Sequence, residues 1–143
     1  MARRKVNFFD EVRTAFAELA DDLRLAGPEE SERIAPSSHY KGARVEYRIL
    51  LDVMEGTASC DVEIATDTVD LTVDIEPLAI ATGVVEKRGR ISYSARNLNQ
   101  LQKSLRGQAD YVRRVHPFLA DPVTAARLMR EAGAREWIRP DQS

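Results

Sequence analysis

Between Ala43 and Pro77 the chain keeps a period of two, and no other feature restricts its possible folds as much. Val45, Tyr47, Ile49, Leu51 and Val53 share one parity; Cys60, Val62 and Ile64 follow, and then Leu71, Val73 and Ile75. Successive side chains of a strand point to opposite faces, so each run describes a half-buried strand with one aliphatic and one polar face. Pairing shifted by one residue would bury the polar set, which requires all the aliphatics to share the core face. On that rule Val53 is expected opposite Cys60, Leu51 opposite Val62 and Ile49 opposite Ile64. With Asp67-Thr68 as a two-residue turn, Ile64 falls opposite Leu71, Val62 opposite Val73 and Cys60 opposite Ile75.

The outward parity is acidic. From Asp52 to Glu76 there are eight carboxylates and no Lys or Arg. The expected register sets Asp52 across from Asp61 and Asp61 across from Asp74, with Glu63 and Asp70 nearby. Like charges directly opposite one another are unfavourable in a sheet. Three roles remain for them. The ordinary one is a solvated face kept charged for solubility. Next comes a surface that receives a basic partner, from another protein or from this chain. Last is a set of Asp52, Asp61 and Asp74 that binds calcium, magnesium or manganese or shares a proton; a flat row of strand carboxylates lacks the enclosing loop of such sites.

Outside this region the period changes. Phe9, Val12, Phe16, Leu19 and Leu23 recur at helical spacing, predicting a helix over 8–26, with Asn7 as its cap, Gly27-Pro28 as its stop and an acidic outer face. Residues 27–42 carry two prolines and three serines without periodicity and are expected to be a loop. Pro77 should end the third strand, and "IATGVVE" and "RISYSA", joined by Lys87-Arg88-Gly89, read as a further hairpin with Val85 opposite Ile91 and Gly83 opposite Tyr93. That makes a sheet of about five strands over 43–95. A helix over 97–116, capped by Asn97, carries Leu98, Leu101, Leu105, Ala109, Val112 and Val115 as its stripe. A shorter one over 122–132 starts at Asp121-Pro122 and ends before Gly133. Trp137 and Ile138, in the tail over 133–143, are expected to dock back on the domain.

The basic residues lie mainly beyond the acidic run. Lys87, Arg88, Lys103, Arg106, Arg113 and Arg114 form a stripe on the long helix and the preceding hairpin. It reads first as a solvated face or one paired with the acidic first helix, and only then as a polyanion site, since Tyr111 is the only aromatic residue close to it. A formal net charge of −2 favours neither a polyanion binder nor an acidic tail. Cys60 is the single cysteine, which excludes an intrachain disulfide and fits a reducing cytosol. Its parity makes it a buried small hydrophobe. His39 and His116 show no zinc-ligand spacing with it. "SSHY" at 37–40 sets Ser beside His in sequence, whereas catalytic pairs are assembled in space. No phosphate-cradling loop or nucleophile elbow is present. Acidic residues interrupt the N-terminus before any apolar run of signal-peptide length, and no apolar run is long enough for a membrane span.

These features predict one α+β domain over 1–143, with an antiparallel sheet of about five strands and an N-terminal helix and two C-terminal helices packed on one face. Sheet first and two helices after, over roughly the last 100 residues, resembles in outline the SecB-type protein-export chaperones. The expected function is a non-catalytic cytosolic protein-binding module of adaptor, chaperone-like or immunity type. It needs no cofactor or metal, and its partner is another protein or a second copy of itself. Its candidate surface is Asp52, Asp61, Glu63, Asp70 and Asp74. The alternatives are nucleic-acid or other polyanion binding through the basic stripe, and a divalent-metal enzyme using the strand carboxylates.

Overall fold

The alternating segment forms the centre of a six-stranded antiparallel sheet in the computed structural model, which describes residues 2–139 and side chains from Phe8 onward. The chain begins with α1 (Ala2–Asp22) and then builds β1 (Ala26–Ser31), β2 (Ser37–Lys41), β3 (Val45–Asp52), β4 (Thr57–Ala65) and β5 (Val69–Asp74). It continues through α2 (Ile75–Thr82), α3 (Leu98–Val115), a 3-10 turn at His116–Leu119 and α4 (Pro122–Glu131), and closes the sheet with β6 (Arg135–Ile138). Sheet order follows chain order, and every neighbouring pair is antiparallel. The helices pack on the aliphatic face, where Tyr47, Ile49, Val62 and Leu71 are fully buried in one cluster with Phe16, Leu78, Leu105 and Met129. The fold class is therefore α+β, with one strand more than expected. Among the described residues no helix is long and apolar enough to cross a membrane.

Parity held in β3, β4 and β5; register held on one side of β4 only. Between β4 and β5 the pairs Ile64–Leu71 and Val62–Val73 form as the two-residue turn predicts, with Thr66 N–H donating to the Val69 carbonyl at 2.8 Å. Between β3 and β4 the pairs are instead Ile49–Cys60, Leu51–Ala58 and Tyr47–Val62. This differs from the expected register by an even slip, which leaves every aliphatic facing the core. The turn decides the matter. Asp52 Oδ1 accepts from Glu55 N–H at 3.0 Å, Gly56 N–H donates to the Asp52 carbonyl at 2.8 Å, and Gly56 takes a left-handed φ of 66°. Val53 thus lies in a tight four-residue connection, about half exposed, and does not pair with Cys60.

Three expected boundaries also move. The first helix reaches back to Ala2, so Asn7 lies within it; it ends at Asp22, where Arg24 adopts a φ of 58° and Leu25 N–H reaches the Ala20 carbonyl. The expected loop 27–42 contains β1 and β2. Pro28 is tolerated because β1 is an edge strand, and β2 is anchored by Tyr40, buried and stacked on Phe16 with ring centroids 5.4 Å apart. The third strand stops at Asp74, and Ile75 begins α2, so Cys60 and Ile75 do not pair; Pro77 sits in the first helical turn, where a missing N–H costs nothing. The hairpin expected over 80–95 does not form. Gly83 closes α2 with a φ of 83°, and the segment after it reaches the sheet through Ala58 N–H to the Tyr93 carbonyl and Ala95 N–H to the Gly56 carbonyl. The C-terminal helices are as expected: Asn97 caps α3 through Gln100 N–H, and Asp121 caps α4 through Thr124 N–H. The tail docks by main-chain pairing of β6 with β5, leaving Trp137 about half exposed; residues 140–143 lie outside the described residues.

Candidate functional site on the open sheet face

With the helices on one side, the polar parity of the sheet forms an open face, and strand register arranges its side chains in transverse rows. One row runs Glu29, His39, Arg48, Asp61, Asp74 across β1 to β5. The next runs Lys41, Glu46, Glu63, Thr72, Arg135 across β2 to β6. Adjacent rows meet along diagonals: His39 Nδ1 is hydrogen-bonded to Glu46 at 2.7 Å, Lys41 Nζ lies 3.7 Å from Glu29, and Arg48 is ion-paired with Glu63. Asp70 receives Arg139. Of the acids in the alternating run, Glu63, Asp67 and Asp70 are therefore met by bases of the same chain, Arg48, Arg44 and Arg139, from positions before Asp52 and after Arg130.

One pair is met differently. Asp61 and Asp74 stand directly opposite each other, as the sequence predicts, which sets two carboxyls side by side and favours a proton shared between them. Burial pushes the Asp61 carboxyl up to about 7, Asp74 adds to the rise through that hydrogen bond and its charge, and Arg48 and Arg135 oppose it without reversing it. Asp74 is also the N-cap residue of α2, with extended φ and ψ of −67° and 152°, yet its side chain makes no capping bond. The pair forms one wall of a cleft of about 320 Å³ that Thr72, Pro77, Arg135 and Trp137 complete. Chemically the cleft can hold a proton near neutrality, accept hydrogen bonds from a donor, and present an indole face to a cation.

The remaining candidates separate. Asp52 lies opposite Thr57 at the β3–β4 turn and not opposite Asp61, so the expected row of three carboxylates, for which a cation was the last of three roles, does not form. Among the described residues no group of three or more His, Cys, Asp or Glu is placed to hold a metal ion. The basic stripe is divided. Arg113 binds Asp22 of α1 at 3.0 Å and Arg114 binds Asp110 at 3.4 Å, while Lys103 and Arg106 face solvent. Lys87 and Arg88 are exposed on the irregular segment after α2. Cys60 is buried on the core face, which pushes its thiol far up. His116 Nδ1 shares a 2.7 Å hydrogen bond with the Tyr47 hydroxyl, and burial lowers its affinity for a proton.

Arg48, Arg135, Trp137 and Arg139 carry much of this face and were not expected on it. Arg48 has the outward parity of Glu46 and could have been placed there from sequence. The other three arrive through β6, whose pairing partner lies more than 60 residues earlier, and no local pattern announces it. Compared with known protein families, curated proteins and solved structures, the chain matches none, and the outline likeness to SecB-type chaperones gains no support from that side.

Proposed function

We propose that the chain is a non-catalytic cytosolic protein-binding module that receives a basic segment of another protein on its open sheet face, over Asp61, Asp74 and Trp137. The observation that carries this reading is the manner in which charge is compensated. Glu29, Glu46, Glu63 and Asp70 each have a base of the same chain, whereas Asp61 and Asp74 face each other without an ion pair among the described residues, an arrangement that favours a proton on Asp61. A Lys or Arg from a partner can replace that proton, and the half-exposed Trp137 supplies an aromatic surface for its alkyl stem and cation. Charge matching of this kind favours a specific partner more than it raises affinity.

Trp137 is the only tryptophan, so its emission reports this cleft alone. Titration with a lysine-rich peptide is expected to shift that emission, and an Asp61→Lys/Asp74→Lys variant with unchanged circular dichroism is expected to lose both the shift and the captured partner. An unchanged response in the variant overturns the reading. Light scattering identifies the case in which the partner is a second copy of the chain.

A further inference from the structure

We infer that the Asp61–Asp74 pair is a proton-operated switch on α2: with a proton shared, the Asp74 side chain is held across the strands to Asp61, and without it the Asp74 carboxylate turns to cap the helix. The geometry supplies two destinations for one side chain. Asp74 occupies the N-cap position in the extended conformation that a capping residue needs, but its capping bond is unmade. Pro77 stands where one of the two usual cap donors would be, so Glu76 N–H is the donor left for Asp74. Deprotonation makes the carboxyl pair repulsive, while a helix N-terminus attracts a carboxylate. Both changes move Asp74 in the same direction.

The charged groups around the pair set how readily it releases its proton. Arg48 faces it from β3, with Glu63 bound to that arginine, and Arg135 faces it from β6. Tyr93 of the segment after α2 and Cys60 from the core side are within electrostatic reach of Asp74. The consequence travels through Glu76, the residue whose N–H is to be capped. Its buried carboxylate accepts Gly89 N–H and the Tyr93 hydroxyl, each at 3.0 Å, and so ties the segment that bears Lys87 and Arg88 to α2. A protonation event on the open face is thereby read by a segment that leaves the sheet for the helical side. The inference goes beyond partner binding and needs no partner for its test.

Carboxyl and amide NMR of the whole chain between pH 5 and 8 provides that test. One aspartate carboxyl is expected to titrate near neutrality. With the same midpoint, exchange of the Glu76 amide, corrected for its intrinsic pH dependence, is expected to slow roughly fivefold as the cap forms. In Asp61→Asn, where the introduced side-chain amide can still donate to Asp74 but carries no titrating proton, both changes are expected to vanish. No aspartate titrating above pH 6 overturns the switch, as does titration without a response at Glu76. A Glu76 response that persists in Asp61→Asn with its midpoint unmoved also overturns it; the His116 ring signals in the same spectra identify the group then responsible.

Discussion

The two faces of the sheet are built from the same strands and obey different rules. Facing the helices, alternate residues of β3 and β4 are buried in a single apolar cluster, and the energy there lies in area removed from water and in close packing. On the open face the intervening residues are half-buried and joined by ion pairs that lie diagonally between rows. The first face enforces parity and tolerates any even slip. The second distinguishes registers, because the observed one sets Arg48 opposite Asp61, whereas the register expected from parity alone would set Asp52 there. Charge on the open face thus agrees with the register that the Asp52–Gly56 turn selects, whereas the apolar face is indifferent to it.

The largest effect that separates the faces is a core truncation. Leu71 is fully buried, and Leu71→Ala is expected to cost about 2–5 kcal/mol in urea unfolding, while its neighbour Thr72→Ala, on the open face, should stay within about 0.5 kcal/mol. Equal costs at the two positions would remove the distinction. Next is the turn that selects the register. Gly56 has a φ of 66°, and a Cβ there would lie 2.7 Å from Arg96 Cγ, so Gly56→Ala is expected to lose about 1–2 kcal/mol in the same assay. The arginine can move aside, but the left-handed backbone conformation remains unfavourable for alanine.

That turn also shows what could be read from the residues and what could not. Strand parity, the α3 and α4 boundaries and their Asn97 and Asp121 caps follow from local chemistry and are as expected. The β3–β4 register is not local: two even registers bury the same aliphatics, and the choice rests on an Asp52 side-chain bond to Glu55 that neither strand pattern contains. Strands β1 and β2 were concealed by Gly27, Pro28 and serines, since these strands exist through pairing with their neighbours more than through propensity. Helix α2 is eight residues long, too short for its period to be told from that of a strand. Of the candidate site, Asp61 opposite Asp74 was legible because Asp67-Thr68 allows a single short turn. Arg135 and Trp137 were not, because only the completed fold brings β6 beside β5.

The Asp61–Asp74 pair is the exception on the open face, and pH sharpens the contrast. In the unfolded chain Asp61 ionises near 3.9, as an unperturbed aspartate does, and in the folded protein at about 7. The folded state therefore retains a proton that the unfolded state has lost, and the stability this contributes is fully present below about pH 4 and is lost as pH rises to 7. Asp61→Asn removes that loss. Its unfolding free energy in urea is expected to match the parent's near pH 4 and to exceed it at pH 8, by about 1 kcal/mol after solvent screening of a half-buried site. His116 acts in the opposite sense: its proton affinity is lowered on folding, so its contribution falls as pH drops. Being common to both proteins, it cancels in their difference. A difference that does not grow with pH would place Asp61 among the ordinary ion-paired acids of this face.

The smallest expected effect concerns charge away from the sheet. Arg113 on α3 reaches Asp22 at 3.0 Å and Glu18 at 3.7 Å on α1, all three side chains being well exposed. Exposed pairs gain little in water, because attraction at high dielectric is offset by the entropy of holding long side chains in place. Arg113→Gln is accordingly expected to cost a few tenths of a kcal/mol in low salt and nothing measurable at about 1 M, where screening acts over about 3 Å. The same substitution separates an internal role from recognition of a polyanion. If the stripe of Lys103, Arg106, Arg113 and Arg114 bound nucleic acid, binding of single-stranded DNA at low salt would weaken on loss of Arg113, and the slope of log affinity against log salt would fall by about 1. An arginine engaged by α1 instead leaves DNA binding absent or unchanged, with the small, salt-sensitive loss of stability as its only consequence.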